Sequence, residues 1–90
     1  MAKAVIDPDE VRRFAHDLER FNRDLQHQLN VLHGRLSALG ETWRDQEHRK
    51  FAEEFEQTLK VLARFSNSAS EHIPFLRRKA DRIEEYLRQR

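Results

Sequence analysis

The sequence contains no cysteine, only two glycines and two prolines, and no long apolar run. The lack of cysteine excludes disulfides, thiol catalysis and thiolate metal sites. Few glycines and prolines together with 37% charged residues favour long solvated helices over a fold that contains sheet. No segment approaches the roughly 18 apolar residues of a transmembrane helix, and the first residues lack the pattern of a cleavable signal peptide. We therefore expect an all-α protein that, if secreted, leaves the cell without such a peptide.

The charge is nearly balanced, because 17 basic and 16 acidic residues give a net charge of +1. Such a chain has no global field that attracts nucleic acid or an anionic membrane. Basic residues do gather near the C-terminus, interleaved with acids, and we interpret them as a solvated, salt-bridged face. These residues are Arg77, Arg78, Lys79, Arg82, Arg88 and Arg90. We expect no nucleic-acid partner and no membrane binding.

Apolar residues recur at steps of three and four along two long segments, which predicts two amphipathic helices. In the first segment they are Val11, Phe14, Leu18, Phe21, Leu25, Leu29, Leu32, Leu36 and Leu39. In the second they are Phe51, Phe55, Leu59, Leu62, Phe65, Ala69, Ile73, Leu76, Ala80, Ile83 and Leu87. The predicted organisation is one antiparallel helical-hairpin domain, 1–90, with a tail at 1–6, helix 1 at 8–39, an elbow at 40–45 and helix 2 at 46–89.

The helix ends have recognisable signals. Asp7 is suited to cap helix 1, and Gly40 is expected to close it in the left-handed conformation. Thr42 or Asp45 is expected to cap helix 2. Gly34 interrupts helix 1 without disturbing the phase of its apolar residues, so we predict a continuous helix there.

Pro74 complicates helix 2, because proline removes one backbone hydrogen bond and crowds the carbonyl of Ser70. The serines before it favour helix caps over helix interiors, and we interpret them as capping residues. The apolar residues keep their phase across Pro74, which favours a kink near residues 70–74 over a break.

One hairpin leaves part of each apolar stripe exposed, and a 90-residue chain without disulfides has a small core. We therefore expect two hairpins to pack into a four-helix bundle. The alternative is a monomer with scattered exposed apolar residues. Helix 2 also carries Val61, Phe75 and Tyr86 on a second side, as a candidate partner contact. The expected seam, undivided between intrachain and interchain contacts, comprises Phe14, Phe21, Phe51, Phe55, Leu59, Leu62 and Phe65.

The elbow supplies a more specific signal. Gly40 and Trp43, the single tryptophan, are followed by Phe51 and Phe55, and the C-terminal segment PFLRRKADRIEEYL contains Tyr86. In these residues, its size and its lack of cysteine, the chain resembles the WXG family of small type VII secretion substrates of the early-secreted-antigen type. The resemblance implies a homodimer, or a heterodimer with a paralogous WXG-like protein, that is exported from the cytoplasm in the folded state. It also implies a secretion ATPase as a partner.

Two positions depart from the family pattern. The family's Trp-x-Gly is here Trp43-x-Asp45, and Tyr86 is followed four residues later by Arg90 instead of an acid. Either a dimer partner supplies the missing export signal, or the chain remains inside the cell or docks elsewhere. The resemblance implies recognition roles for Gly40, Trp43 and Asp45 at the elbow and for Tyr86 at the tail. The alternative role of Trp43 is to plug the open end of the bundle.

Catalytic and metal-binding signatures are weak. The sequence has no glycine-rich phosphate loop, no nucleophile elbow and no acid or base within its apolar stripes. Asp24 with His27 and Asp45 with His48 share the acid-x-x-His spacing of di-iron bundles, but the predicted core is purely apolar. We expect no enzyme, metal or cofactor. The alternative function is an intracellular helical adaptor or structural coiled coil without a link to secretion, and an adjacent gene for a paralogue or a membrane-bound ATPase would argue against it.

Overall fold

The computed structural model describes residues 6–89. It contains two helices, α1 (Pro8–Leu39, 32 residues) and α2 (Gln46–Arg88, 43 residues), and no strand within that range. The predicted all-α helical hairpin is confirmed. α2 ends at Arg88, one residue before the predicted limit. Most of the predicted tail and Arg90 lie outside the described residues.

Asp7 caps α1 as its position predicts. Its carboxylate accepts a hydrogen bond from the amide of Asp9 at 2.9 Å, and its carbonyl accepts from Glu10 and Val11 at 3.1 and 3.2 Å. Pro8 is the first helical residue, where its missing amide costs nothing. Sequence and structure agree here because a cap depends on neighbouring residues alone.

The left-handed conformation predicted for Gly40 is wrong, since its φ is not positive. The amides that follow it continue the helical turn and satisfy the last carbonyls of α1. They donate from Glu41 to Ala38 at 3.1 Å, from Thr42 to Leu39 at 3.2 Å and from Trp43 to Leu39 at 3.0 Å. A Cβ on Gly40 would lie 3.3 Å from Cε1 of His48. The absence of a side chain at Gly40 therefore allows the His48 ring to lie close to the backbone.

The chain divides into two compact units. The elbow unit, Arg23–Asn67, contains the C-terminal half of α1, the connection and the N-terminal half of α2. Leu36 and Leu59 are its buried apolar residues, and Ser66 is also buried. Gln26 Nε2 donates to Ser66 Oγ at 3.0 Å, so a side-chain hydrogen bond joins the two helices inside this unit.

The terminal unit comprises Met1–Asn22 and Ser68–Arg90, of which residues 6–22 and 68–89 are described. Its core consists mainly of small residues, because alanines at buried positions allow helix backbones to approach closely. The buried apolar residues are Ala15, Ala69, Ile73 and Ala80. Asn22 is buried beside them, and its Nδ2 donates to Ser70 Oγ at 2.6 Å.

The expectation of a purely apolar core is therefore wrong in both units. Ser66 and Ser70 do not cap a helix; each accepts a hydrogen bond from an amide side chain of α1. Buried polar groups are tolerated where they have such partners. α2 continues through Pro74 as one α-helix, so the expected absence of a break is confirmed. Within the described residues, neither helix has an apolar stretch long enough to cross a membrane.

Candidate functional site

Aromatic rings form a continuous row from the elbow along the start of α2. The Trp43 ring lies 6.0 Å from the Phe51 ring, stacked at 30° between planes, and Phe51 lies 5.5 Å from Phe55 at 18°. The row follows from sequence spacing, because residues four apart on a helix are neighbours on its surface. Trp43 is half-buried, whereas Phe51 is 42% exposed. The row therefore fixes the tryptophan on α2 and still presents aromatic surface to solvent.

Asp45 caps α2, which confirms one of the two predicted alternatives. Its Oδ1 accepts from the His48 amide at 2.9 Å, and its carbonyl accepts from the Arg49 amide at 3.2 Å. Thr42 instead donates its hydroxyl to the Leu39 carbonyl at 3.4 Å. The hydrogen bond from the His48 amide, together with one from the Trp43 side chain, lowers the pKa of Asp45 below its ordinary value. The aspartate that stands where the family has glycine thus satisfies backbone amides in the first turn of α2.

His48, in the first turn of α2, contacts the elbow tryptophan, and sequence reasoning missed this contact. Its ring lies 5.0 Å from the Trp43 ring in an edge-on arrangement, and its Nε2 is buried without a hydrogen-bond partner among the described residues. The acid-x-x-His spacing with Asp45 reflects capping, because the backbone amide of His48 and not its imidazole binds the carboxylate. Within residues 6–89 no group of three or more metal-ligating side chains is placed to hold an ion.

The structure shows which of the seven expected seam residues lie in the chain's own core. Leu59 is buried and Phe55 is half-buried. The other five are more than a third exposed, namely Phe14 at 59%, Phe21 at 54%, Phe51 at 42%, Leu62 at 37% and Phe65 at 51%. The chain's own packing therefore leaves most of the seam uncovered.

The geometry of α1 explains this exposure in the terminal unit. The residues buried there are Ala15 and Asn22, each one position after a phenylalanine. One position is about 100° around a helix, so Phe14 and Phe21 lie on an adjacent face, turned from the unit's core. Their large side chains remain at the surface while small ones occupy the helix contact.

An ion-pair cluster in the terminal unit joins the start of α1 to the end of α2. Arg12 contacts Asp81 at 2.8 Å, Glu84 at 2.5 Å and Asp9 at 3.4 Å, and Glu84 also contacts Arg88 at 2.5 Å. Hydrogen bonds to Asp81 and then Glu84 raise the pKa of the Arg12 guanidinium. We call these five residues the clasp. The predicted salt-bridged face is present at Arg88, but the cross-helix role of Arg12 has no periodic signal in the sequence.

Tyr86, the expected recognition residue of the tail, is 66% exposed near the end of α2. Val61 and Phe75, on the same predicted second side of helix 2, are 53% and 52% exposed. These values place the side chains at the surface of the chain. They leave the recognition roles of Tyr86 and of the elbow residues as predictions.

Solved structures with this fold define its class. The secreted protein EsxB of Bacillus anthracis strain Sterne, in selenomethionine-labelled form, is 27% identical with a TM-score of 0.78, over 96% of this chain and 98% of that one. A mutant of EsxB gives 26% identity and a TM-score of 0.79 over 96% of each chain. A second mutant gives 27% and 0.77 over 94% of this chain and 98% of that one. The fold is thus that of the small EsxB-like helical hairpins.

The family follows from the sequence model described as proteins of 100 residues with WXG, which matches residues 5–86. The chain therefore belongs to the WXG100 family, and the resemblance drawn from the elbow residues is confirmed. No curated protein matches the chain.

Proposed function

We propose that this WXG100 chain is a non-enzymatic protein of type VII secretion that acts as a dimer, as a secreted substrate, an effector or an export partner. The observation that carries the proposal is that five of the seven seam side chains are more than a third exposed in the single chain. The description of EsxB as a secreted protein supports export as the setting. The partner is a second copy or a paralogous WXG-like hairpin, and the product is a four-helix bundle.

Dimerisation follows from the energetics of the seam. Phe14, Phe21 and Phe65 are each more than half exposed in the single chain. Full burial of a phenylalanine contributes about 1.5 to 3 kcal/mol, so each of these side chains gains roughly 1 kcal/mol from a partner. The elbow unit also exposes the leucines Leu32 and Leu39, each at 41%. A hairpin of the same kind presents the complementary long apolar face.

Recognition by a secretion ATPase is assigned to the elbow residues Gly40, Trp43 and Asp45 and to Tyr86. The Trp43 ring is half-buried, so part of its surface is available to a partner. Its contacts with His48 and Phe51 also support a plugging role. Trp43→Ala separates the two roles. Lost export with an unchanged melting temperature supports recognition, and a large fall in stability supports the plug.

The direct test of the proposal is export from a cell that carries a type VII apparatus. The chain is expressed with and without the secretion ATPase, together with a paralogous hairpin, and its amount in the medium is compared with that of a cytoplasmic marker. We expect the chain in the medium only when the ATPase is present. Equal retention in the two strains would contradict a secreted role.

The second candidate is an intracellular helical adaptor that pairs through the same seam and is not exported. One observation favours it: Tyr86 is followed four residues later by Arg90 and not by an acid. In the adaptor case the chain forms its dimer but stays in the cell even with the paralogue present. Replacing Arg90 by glutamate restores the acidic position, and export that appears only in this variant would identify the missing signal.

A further inference from the structure

The C-terminal half of α2 carries exposed aromatic and basic side chains on one face. Phe75, Lys79, Arg82 and Tyr86 follow each other at steps of four, three and four, so they lie along one line of the helix. All four are exposed, and the line lies about 100° to 160° around the helix from the buried Ala80. We call it the basic-aromatic stripe. It points away from the core of the terminal unit.

Two carboxylates of this segment form ion pairs with α1. Asp81 and Glu84 bind Arg12, and Glu84 also binds Arg88. Glu85 lines the same pocket as the clasp residues. Asp81 and Glu84 are thus engaged with Arg12. In the described part of the chain, the exposed Glu71 and Glu85 form no ion pair with Lys79 or Arg82 either.

Among the described residues, the cations of the stripe have no such partners. Within residues 6–89, neither Lys79 nor Arg82 forms an ion pair, and Arg78 next to them forms none either. Arg77, by contrast, is held by Glu19 at 3.2 Å. A protein of net charge +1 therefore presents a local surface with three unpaired positive charges flanked by two aromatic rings.

This chemistry fits carboxylates presented on a protein better than a lipid surface. Membrane recognition by electrostatics normally requires clusters of four to eight basic residues, and the stripe with Arg78 has three. Arginine and aromatic side chains are enriched at protein interfaces, where they combine charge pairing with apolar contact. We propose that the basic-aromatic stripe binds an acidic segment of a partner protein, with carboxylates about one helical turn apart opposite Lys79 and Arg82.

The inference is independent of dimerisation through the seam, because none of the four stripe residues belongs to the seven seam positions. The stripe is a second contact surface, on the terminal unit, and its positive charge indicates an acidic partner. Tyr86 then acts as an apolar flank of a basic site.

The test uses a fluorescent helical peptide of about 14 residues with glutamates at i, i+3 and i+7 between leucines and alanines, and a matched peptide with glutamine at those positions. Binding to the full chain is measured by fluorescence anisotropy at low salt. We expect the glutamate peptide to bind and the glutamine peptide to bind at least about tenfold more weakly. The double variant Lys79→Gln and Arg82→Gln should weaken binding of the glutamate peptide by about tenfold.

The matched control is Arg13→Gln with Arg20→Gln, which removes the same charge from exposed positions of α1. It should change binding by less than about twofold, since screened distant charges contribute little. Equal weakening by the two double variants would overturn the inference in favour of net charge alone. Absence of binding by the wild type also overturns it. The inference is also overturned if the chain binds phosphatidylserine vesicles more strongly than the glutamate peptide and the double variant Lys79→Gln and Arg82→Gln loses the vesicle binding.

Discussion

Gly34 lies inside α1 with no atom within 4 Å of the position that a Cβ would occupy. Replacing it by alanine adds a methyl group in open space and removes the conformational entropy that glycine has in the unfolded chain. An exposed helical glycine is about 0.8 to 1.0 kcal/mol less favourable than alanine. We expect Gly34→Ala to raise the free energy of unfolding by about 1 kcal/mol.

Gly40→Ala makes the same chemical change at a crowded site. Its Cβ would lie 3.3 Å from Cε1 and 3.7 Å from Nε2 of His48, and 3.4 Å from the Ser37 carbonyl oxygen. The His48 ring packs edge-on against Trp43 with ring centroids 5.0 Å apart, so a shift of this ring also alters the Trp43 contact. The strain at the His48 ring then offsets the entropic gain, and we expect Gly40→Ala to leave the free energy of unfolding unchanged or to lower it.

The assay is thermal and urea unfolding of the two variants and the wild type at one fixed concentration, because an associating protein has a concentration-dependent midpoint. A gain of 1 kcal/mol corresponds to about 4 to 8 °C in a domain of this size. A Gly34→Ala variant that melts at or below the wild-type temperature would refute the reasoning. It would mean that a partner packs closely against Gly34 in the assembled state.

Three further predictions concern polar contacts. Asp45→Ala lowers the melting temperature at pH 7, because the variant loses the carboxylate that caps α2. Folding lowers the pKa of Asp45, so the difference in melting temperature from the wild type is complete above the ordinary pKa of 3.8 and shrinks as the pH falls through the lower folded pKa. Melting curves measured over a series of pH values check this. Asn22→Ala removes a buried amide and lowers the free energy of unfolding by about 1 to 3 kcal/mol. A double-mutant cycle with Ser70→Ala should give a coupling energy of about 1 kcal/mol, and additive effects of the two substitutions would contradict the hydrogen bond. Arg12→Gln opens the clasp and lowers the melting temperature more in low salt than in 0.5 M salt, and an equal effect in the two buffers contradicts an electrostatic clasp.

The helices and most of their ends were predictable from the sequence because these features depend on local patterns. Asp7 and Asp45 act as caps through residues two or three positions away, so spacing alone identifies them. Gly40 shows the limit of local reasoning, because a Cβ at this position would crowd the His48 ring, and that contact depends on how the chain packs.

The choice between two adjacent faces of a helix was not predictable from periodicity. Hydropathy separates Phe14 from its charged neighbours, but it does not separate it from Ala15, which lies about 100° away and is also apolar. The structure buries Ala15 and exposes Phe14 because a small residue allows the two helices to approach. The polar pairs at Ser66 and Ser70 were missed for a related reason, since a serine in a helix signals neither a cap nor a core until its partner is known.

The candidate site was partly predictable. Trp43 and Asp45 were identified at the elbow, and the indole does contribute to the lowered pKa of the Asp45 carboxyl group. His48 was considered only as a metal ligand, because its ring contact with Trp43 depends on how the connection turns back onto α2. The clasp joins residues about 70 positions apart, a separation over which no helical period carries information.

The central claim is that the exposed phenylalanines of the seam are covered by a second hairpin, and sedimentation equilibrium tests it most directly. The wild type, alone or mixed with a paralogous hairpin, is expected at about twice its chain mass of 10.9 kDa. Phe21→Ser combined with Phe65→Ser should return it toward 10.9 kDa, whereas Phe75→Ser combined with Tyr86→Ser should not. A folded wild-type chain that stays at 10.9 kDa, alone and in the mixture, would contradict the account.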